Sequence, residues 1–320
     1  MATKVPAALV ERLAASYRVL GPLAPPFETS VATLSADDLQ SVRAIVSVGT
    51  VTIGRAAMER LPNAGLVACL GSGYEGVDLA AARALGIRVA HSPGANASSV
   101  ADAAMGLLIA CVRDFASGRE FIRGGHWLQS ERARPPVARG LTGRNVGIYG
   151  LGVIGRKIAA RAEAFEMHVA YHNRRRLLDV GYPYHATLLD LATWADVLVV
   201  AARAGDGNRH AVDRNVLAAL GGDGVVINIS RGSTIDEAAL VDALQRGVIA
   251  GAGLDVFEHE PQVPPALLEL PNVALTPHIG GNTIEAQTAM SDMVLANVDA
   301  FFAGRALPAP VPQPDAASAR

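Results

Sequence analysis

The stretch NVGIYGLGVIGRKIAA, residues 145–160, places three glycines between an apolar strand and the start of a helix. In a dinucleotide-binding turn the first glycine permits the tight bend, the second lets a pyrophosphate approach the backbone, and the third lets the helix pack on the strand. The helix N-terminus offers free N–H groups and the positive end of a dipole to the phosphates. Glycine triplets also occur in turns that bind nothing, but a strand before and a helix after are the required context. We therefore predict cofactor contacts from the residues of this turn and helix start: Gly150, Gly152, Val153, Ile154 and Gly155.

Composition limits the class of protein. The chain has 320 residues, of which 50% are hydrophobic, so it can bury a sizeable core and is long enough for about two domains. Its formal net charge of −2 provides no electrostatic footprint for nucleic acid or for an anionic membrane. Residues 1–10 lack the apolar segment of a secretory signal, and no run of about 18 apolar residues occurs. We predict a cytoplasmic globular protein that binds neither nucleic acid nor membrane.

The two cysteines, Cys69 and Cys111, lie within apolar stretches and lack the spacing of metal ligands. This pattern favours small core thiols in a reducing compartment and predicts no metal site.

Strand-like and helix-like segments alternate along the chain. The strand candidates are apolar runs bounded by turn residues, at 42–48, 66–70, 87–90, 167–171, 197–201, 225–229, 250–255 and 273–275. Alternation at this spacing predicts an α/β protein with parallel sheets covered by helices.

Two long apolar segments predict the domain organisation. A helix over 98–122 is expected to leave the first domain, and a helix over about 283–302 is long enough to return to it. We therefore predict two Rossmann-like or flavodoxin-like domains, with a nucleotide domain, 98–285, inserted into a substrate domain formed by 1–97 plus 286–320. The tail at 307–320 is rich in Pro and Ala, and we expect it to be frayed.

The residues after the second strand of the nucleotide domain indicate which cofactor binds. NAD-binding folds place Asp or Glu there, where the carboxylate accepts hydrogen bonds from the ribose hydroxyls. This chain reads YHNRRR at 171–176, with no carboxylate and with consecutive arginines. Arginine suits a 2′-phosphate through charge-assisted hydrogen bonds, whereas a carboxylate would repel it. We predict NADPH or NADP+ as cofactor, NADH as a weaker one, and Asn173, Arg174 and Arg175 in the site; a solvated basic loop is the alternative.

Polar side chains follow three later strand candidates. Arg231 comes directly after one strand, Asp255 ends the next, with Glu258 and Glu260 soon after it, and His278 follows the third. Because ligands of open α/β sheets collect at the carboxyl ends of strands, these groups can converge.

The types of these side chains suit the reduction of a 2-keto acid. A guanidinium can hold a carboxylate and polarise a keto oxygen. A histidine can donate a proton to the developing alkoxide, and a nearby carboxylate raises its pKa and fixes its orientation. Taken singly, each has a plainer interpretation: a surface ion pair for Arg231, a structural role for His278, and a solvated loop for Glu258 and Glu260.

These motifs resemble those of the D-isomer-specific 2-hydroxyacid dehydrogenase family, in family order and spacing. Residues 89–102 are also similar to the family's segment that leads into the interdomain helix, and the resemblance covers roughly 66–302. Within the family, residues 171–175 are most similar to NADPH-dependent glyoxylate and hydroxypyruvate reductases, which implies formation of glycolate or D-glycerate. The matching motifs are 150–155, 228–232, 251–261 and 276–281.

The resemblance implies a role for each matching position. Arg231 matches the substrate-binding arginine, His278 the acid/base, and Glu260 the carboxylate paired with that histidine, whereas Glu258 does not match. Asp255 matches the residue that contacts the nicotinamide carboxamide.

The same resemblance assigns four further residues. The N–H groups of Ser72 and Gly73, within GSGYEG at 71–76, are expected to face the substrate carboxylate, although a simple strand-to-helix turn is an alternative. Ser230 and Val100 are assigned to the cofactor site.

The chain also departs from the family pattern. Many relatives carry Cys-Pro or Leu-Pro beside the nicotinamide, whereas residues 201–204 of this chain read AARA. We therefore expect the wall of the cofactor pocket to differ here, and we expect Arg203 to add charge near the pocket. Cys69 stands where phosphoglycerate enzymes commonly place a basic residue, which weighs against a phosphorylated substrate.

The partners follow from the same comparison. The family usually forms homodimers through the nucleotide domain, and residues 121–128 are a candidate contact, although Trp127 is equally an ordinary core residue. The substrate is expected to be a small 2-keto acid. Two rivals stay open: a reductase of bulkier keto acids, such as aryl pyruvates or 2-ketogluconate, and a nucleotide-sensing protein without catalysis.

Overall fold

The computed structural model describes residues 1–129, 134 and 137–312, which form two compact units. Unit 1 comprises Met1–Asn96 and Thr283–Arg320, and unit 2 comprises Ala97–Asn282, so unit 2 is inserted into unit 1 along the chain. Among the described residues, no helix is both long and apolar enough to cross a membrane.

Unit 1 is built on a small parallel sheet. Its elements are α1 (Ala7–Ala14), α2 (Phe27–Ser30), α3 (Ala36–Ser41), β1 (Ala44–Val48), α4 (Arg55–Glu59), β2 (Leu66–Leu70), α5 (Leu79–Ala84), β3 (Arg88–Ala90) and α13 (Ile284–Phe302). The strand order is β1-β2-β3, with all pairs parallel.

The central strand β2 is buried at every residue, because both faces of the sheet are covered. On one face Leu66 and Leu70 belong to the same apolar cluster as Met290 of α13, and on the other Val67 clusters with Met58 of α4. The carboxyl end of β2, where Gly71 follows, is thereby fixed. An apolar cavity of about 340 Å³ between α1, β1 and the end of α13 is lined by none of the predicted site residues.

The expected fraying of the tail is wrong for its first part. Pro310 forms an antiparallel bridge with Ala90 of β3, and Val311 donates from its N–H to the Val89 carbonyl at 2.8 Å. Ala309 and Val311 are buried, so apolar burial and backbone pairing hold this segment. Residues 313–320 of that expectation lie outside the described residues.

Unit 2 is a six-stranded parallel sheet with helices. Its elements are α6 (Ala97–Val112), α7 (Phe115–Arg123), β4 (Asn145–Tyr149), α8 (Val153–Ala164), β5 (His168–His172), α9 (Leu188–Trp194), β6 (Val197–Val200), α10 (Arg214–Leu220), β7 (Val225–Asn228), α11 (Glu237–Gln245), β8 (Gly251–Leu254), α12 (Pro265–Glu269) and β9 (Val273–Leu275). The order β5-β4-β6-β7-β8-β9 places the first strand, β4, between strands that follow it on opposite sides, which is the topological switch point of a doubly wound sheet.

The predicted single helix over 98–122 is wrong, because α6 ends at Val112 and α7 begins at Phe115. Asp114 adopts a left-handed backbone with φ of 47°, which interrupts the helix. Its side chain then accepts a hydrogen bond from the Ser117 N–H at 3.2 Å and caps α7.

Candidate active site

The glycine turn after β4 has a shape that only glycine permits. Gly150 has φ of +103°, and a Cβ there would lie 2.3 Å from the Ala202 backbone nitrogen. A Cβ on Gly155 would lie 2.3 Å from the Gly150 carbonyl oxygen, so α8 packs directly on the turn. Around Gly152, by contrast, a Cβ would meet no atom within 4 Å, so this side of the turn is open to a ligand.

Free backbone donors line that open side. Val153 and Ile154 form the first turn of α8, and no hydrogen bond from either N–H is found within the described part of the chain. The Leu151 N–H instead donates to Asn173 Oδ1 at 2.7 Å, which ties the turn to the end of β5. An open glycine, unpaired N–H groups and the positive helix end fit the pyrophosphate of a dinucleotide.

The end of β5 presents cations rather than a carboxylate. Arg174 and Arg175 are exposed, and across residues 1–129, 134 and 137–312 neither forms an ion pair. Asn173 stands where NAD-binding folds carry an acid, and its amide oxygen is used on the glycine turn. Tyr184 Oη donates to the Asn173 carbonyl at 3.2 Å and further fixes this corner. These guanidinium groups are therefore available to an anionic ligand.

Arg231 lies on the turn that follows β7. This turn is held by the side chain of Asn228, which was not predicted as a site residue. The Asn228 side chain accepts from the Ser230 N–H at 3.0 Å and donates to the Arg231 carbonyl at 3.1 Å. The Arg231 guanidinium donates to the Ser230 carbonyl at 2.7 Å, and Ser230 Oγ donates to the Ala202 carbonyl, beside the glycine turn. The sequence does contain a signal for this role of Asn228, because an amide side chain stands on the last residue of an otherwise apolar strand.

Asp255, at the end of β8, anchors the loop that carries His278. Its buried carboxylate accepts hydrogen bonds from Thr276 Oγ1 at 2.6 Å, and from the N–H groups of Ile279 and Gly280, each at 2.8 Å. Its carbonyl accepts from the His278 N–H at 2.8 Å. This anchoring role was not predicted, whereas the predicted contact of Asp255 with a nicotinamide remains a prediction.

His278 and Glu260 form a direct pair. Nδ1 of His278 lies 2.7 Å from Glu260 Oε2. Since an ionised carboxylate can only accept, Nδ1 carries the proton and donates it. No partner of Nε2 is found among the described residues, so this nitrogen is free to exchange a proton with a ligand.

The electrostatics of this pair keep Glu260 ionised. Burial pushes the pKa of Glu260 upward, but the hydrogen bonds from His278 and from the Phe257 N–H, with the charges of His278 and Arg231, hold that pKa below its usual value. Arg231, Glu260 and His278 follow β7, β8 and β9, which are neighbours in the sheet. The arrangement can bind an anion and protonate an oxygen.

The predicted substrate residues of unit 1 lie in the turn after β2. Gly71 has φ of +107°, and no backbone hydrogen bond from the N–H of Ser72 or Gly73 is found within the described residues. A Cβ on Gly49 would lie 1.9 Å from the Gly73 carbonyl oxygen, so two backbones meet there. This contact, unlike the turn itself, was not predicted. Both amides can donate to an anion.

Val100, the last predicted cofactor residue, is buried in α6. It belongs to the same apolar cluster as Leu151 of the glycine turn, and its predicted contact with the cofactor remains a prediction.

Comparison with known proteins identifies the family. Residues 105–280 match the model of the D-isomer specific 2-hydroxyacid dehydrogenase, NAD binding domain. The chain belongs to the D-isomer-specific 2-hydroxyacid dehydrogenase family. It is therefore a dehydrogenase that uses a nicotinamide dinucleotide, and both the predicted family and the predicted α/β class of parallel sheets are confirmed.

Individual relatives of this dehydrogenase are similar over most of their length. Glyoxylate/hydroxypyruvate reductase A of Arabidopsis thaliana is 42% identical over 271 residues, covering 85% of this chain and 86% of the relative. The 2-ketogluconate reductase of Gluconobacter oxydans is 40% identical with the same coverage of 85% and 86%. The crystal structure of the NADPH-dependent glyoxylate/hydroxypyruvate reductase of Sinorhizobium meliloti, in complex with NADP and malonate, has a TM-score of 0.89 and 41% identity, and covers 97% of this chain and 94% of that chain.

Proposed function

We propose that this dehydrogenase reduces small 2-keto acids, glyoxylate and hydroxypyruvate, to glycolate and D-glycerate with NADPH. The observation that carries the proposal is the 2.7 Å contact between His278 Nδ1 and Glu260 Oε2, which leaves Nε2 free as a proton donor. The similarity to glyoxylate/hydroxypyruvate reductases supports the choice of substrate.

The chain's own side chains perform the steps around the hydride transfer that a bound reduced nicotinamide supplies to the keto carbon. Arg231 binds the substrate carboxylate and polarises the keto oxygen. His278 donates its Nε2 proton to that oxygen, while ionised Glu260 holds the ring and stabilises its protonated form. The N–H groups of Ser72 and Gly73 in unit 1 are proposed as further donors to the substrate carboxylate.

The residues around the glycine turn would hold the cofactor. The N–H groups of Val153 and Ile154 are proposed to bind the pyrophosphate, and Arg174 and Arg175 the 2′-phosphate. Arg174→Ala combined with Arg175→Ala should raise the dissociation constant for NADPH about tenfold or more, because charge-assisted hydrogen bonds are lost, and leave that for NADH nearly unchanged. Equal losses for both cofactors, measured by NADPH and NADH fluorescence, would refute the phosphate role.

Steady-state oxidation of NADPH with a panel of keto acids tests the activity. Glyoxylate and hydroxypyruvate should give the highest kcat/KM, above phenylpyruvate and 2-ketogluconate. Preference for either of the bulkier acids would move the protein to the rival reductase class, and no oxidation with any acid would favour a nucleotide sensor. His278→Ala should lower kcat by about 10²- to 10⁴-fold with little change in NADPH affinity. Full turnover in this variant would remove His278 from its role.

The domain roles, assembly and location complete the proposal. Residues 98–285 are proposed as the cofactor-binding domain, and 1–97 with 286–320 as the substrate domain. A homodimer through unit 2 is supported by four large apolar side chains that α7 and the following turn leave exposed: Phe115, Ile122, Trp127 and Leu128. Light scattering of the purified protein tests the dimer, which Leu128→Asp combined with Ile122→Asp should dissociate. We expect a cytoplasmic location, which cell fractionation tests.

A further inference from the structure

We propose that His210 is a positioning residue for keto-acid reduction: with Glu258 it forms a clasp that holds the segment carrying Arg231 at a fixed distance from the segment carrying Glu260. The role in the reaction rests on the proposed function, whereas the clasp itself is a property of unit 2.

His210 bonds both segments at once. Its backbone N–H donates to the Ser233 carbonyl at 2.8 Å, two residues after Arg231. Its ring Nε2 lies 2.8 Å from Glu258 Oε1, two residues before Glu260. His210 lies outside the predicted site, and it is hydrogen-bonded both to the segment that carries Arg231 and to the segment that carries Glu260.

The backbone of His210 has an unusual conformation. His210 has φ of 52°, in the left-handed region that few non-glycine residues occupy. Two residues later, the Val212 N–H donates to the Thr234 carbonyl and the Asp236 N–H donates to the Val212 carbonyl, each at 3.0 Å. These bonds hold the two chain segments side by side, so the unusual conformation is fixed by its surroundings.

The negative charge of the Glu258 carboxylate is stabilised by its hydrogen-bond partners. Its side chain is only 10% exposed and accepts hydrogen bonds from His210 and from Arg209. Burial pushes the pKa of Glu258 upward, but the hydrogen bonds and charges of His210 and Arg209 hold it below its usual value. The Glu258 N–H donates to Glu237 Oε2 at 3.2 Å. Removing a hydrogen-bond partner from a buried carboxylate costs free energy. The segment that carries Glu258 would therefore shift so that water can reach the carboxylate.

The neighbouring backbone transmits such a shift to both catalytic segments. A Cβ on Gly232 would lie 1.9 Å from the Phe257 carbonyl carbon, so the turn after Arg231 rests directly on the peptide between Phe257 and Glu258. The Phe257 N–H donates to Glu260 Oε1 at 3.1 Å, and the other oxygen of Glu260 holds His278. Movement of Glu258 therefore displaces Arg231 on one side and the Glu260–His278 pair on the other.

Three variants test the clasp. His210→Ala removes the ring, His210→Gln keeps a side-chain N–H donor for Glu258, and Arg214→Ala is the control, because it breaks the exposed Arg214–Asp242 ion pair nearby in the chain. His210→Ala should lower kcat/KM for the keto acid by about 10- to 100-fold, since small misplacements of catalytic groups have large effects on rate. The dissociation constant for NADPH should stay within about twofold of the wild-type value. His210→Gln should recover most of the loss.

A second measurement does not depend on activity. The ¹H NMR signal of the His278 Nδ1–H group, assigned with His278→Gln, reports its 2.7 Å hydrogen bond to Glu260 Oε2. This signal should move upfield in His210→Ala, because a displaced Glu260 accepts a longer and weaker hydrogen bond. It should return towards the wild-type position in His210→Gln and stay unchanged in Arg214→Ala. A merely stabilising role would lower the melting temperature without moving this signal.

The outcomes separate the two proposals. An unchanged His278 Nδ1–H signal in His210→Ala, with activity lost only in proportion to unfolded protein, would overturn the clasp. If the wild type reduces no keto acid, the proposed function fails, and this signal still decides whether His210 positions the Glu260–His278 pair.

Discussion

The two glycine turns of this dehydrogenase begin alike and end differently. Gly71 after β2 and Gly150 after β4 both have φ just above 100° at the end of a parallel strand. In unit 2 the helix α8 starts at Val153, directly after the turn, whereas in unit 1 the next helix starts only at Leu79. A strand followed at once by a helix N-terminus offers several N–H groups and a dipole, which suits a diphosphate. A strand followed by a loop offers only its few free amides, which suits a single carboxylate.

The packing behind the turns differs as well. In unit 2 one residue, Gly150, has both the left-handed backbone conformation and the close contact with another segment. A Cβ on Gly150 would lie 2.3 Å from the Ala202 backbone. In unit 1 these two features belong to two different glycines. A Cβ on Gly71 would meet only the Met290 sulfur, at 3.8 Å, while the close contact is that of Gly49 with the Gly73 carbonyl. The Gly150 turn, proposed above as the cofactor turn, should therefore tolerate substitution less well than the Gly71 turn, proposed above to bind the substrate.

The largest effect is expected from Gly150→Ala. In this variant alanine would have to adopt a left-handed backbone conformation, and its Cβ would clash with the Ala202 backbone. The free energy of unfolding should therefore fall by about 3 kcal/mol or more, and NADPH binding should be abolished. Urea unfolding and NADPH fluorescence measure the two effects. The control is Gly152→Ala, which has room for its Cβ and should stay within about 0.5 kcal/mol of wild type while NADPH binding weakens, because the Cβ fills the open side of the turn. Equal stability losses in the two variants would contradict the comparison.

Gly49→Ala breaks the unit 1 turn instead. The added Cβ must displace the Gly73 peptide, so KM for the keto acid should rise about tenfold while the NADPH dissociation constant stays within about twofold. Gly54→Ala is the matched control in unit 1, because the nearest atom to its Cβ is Glu28 Oε1 at 3.4 Å. A loss of NADPH affinity as large as the rise in KM would show that the two turns do not act separately.

Much of this comparison could be predicted from the sequence. The order strand, glycines, helix encodes the cofactor turn, because each part has its own local signal. The placement of Arg231, Glu260 and His278 after three neighbouring strands could be predicted, because ligands of parallel sheets collect at strand ends. The break at Asp114 was missed, since an apolar run conceals a single left-handed residue within it.

The rest could not be predicted, because it depends on contacts between distant segments. Nothing in the sequence places Gly49 against Gly73, the Asp255 carboxylate on the loop of His278, or His210 against Glu258. These contacts leave no periodic pattern, and each arises only once the strands have paired.

Asn173→Ala should have an intermediate effect that is specific to the cofactor turn. It leaves the Leu151 N–H without its acceptor, so the free energy of unfolding should fall by about 1–2 kcal/mol and the NADPH dissociation constant should rise several-fold. Asn173→Asp separates the two roles of this position, because it keeps an acceptor for Leu151 and adds a negative charge beside Arg174. It should retain stability while weakening NADPH more than NADH. If it weakened both cofactors equally, the charge at this position would not select the cofactor.

The smallest effect is expected from Ser72→Ala in unit 1. The hydroxyl lies 3.1 Å from Asn96 Oδ1 and 3.2 Å from the Ser92 carbonyl, so its removal should cost about 1 kcal/mol or less. The Ser72 carbonyl keeps its 2.9 Å hydrogen bond with His91 Nδ1, which holds the backbone in place. Because the proposed donor to the keto acid is the backbone N–H, which alanine retains, KM should change by about threefold at most. A tenfold rise in KM with unchanged stability would mean that the hydroxyl binds the carboxylate. The two turns would then differ in the kind of donor they use, rather than only in whether a helix follows.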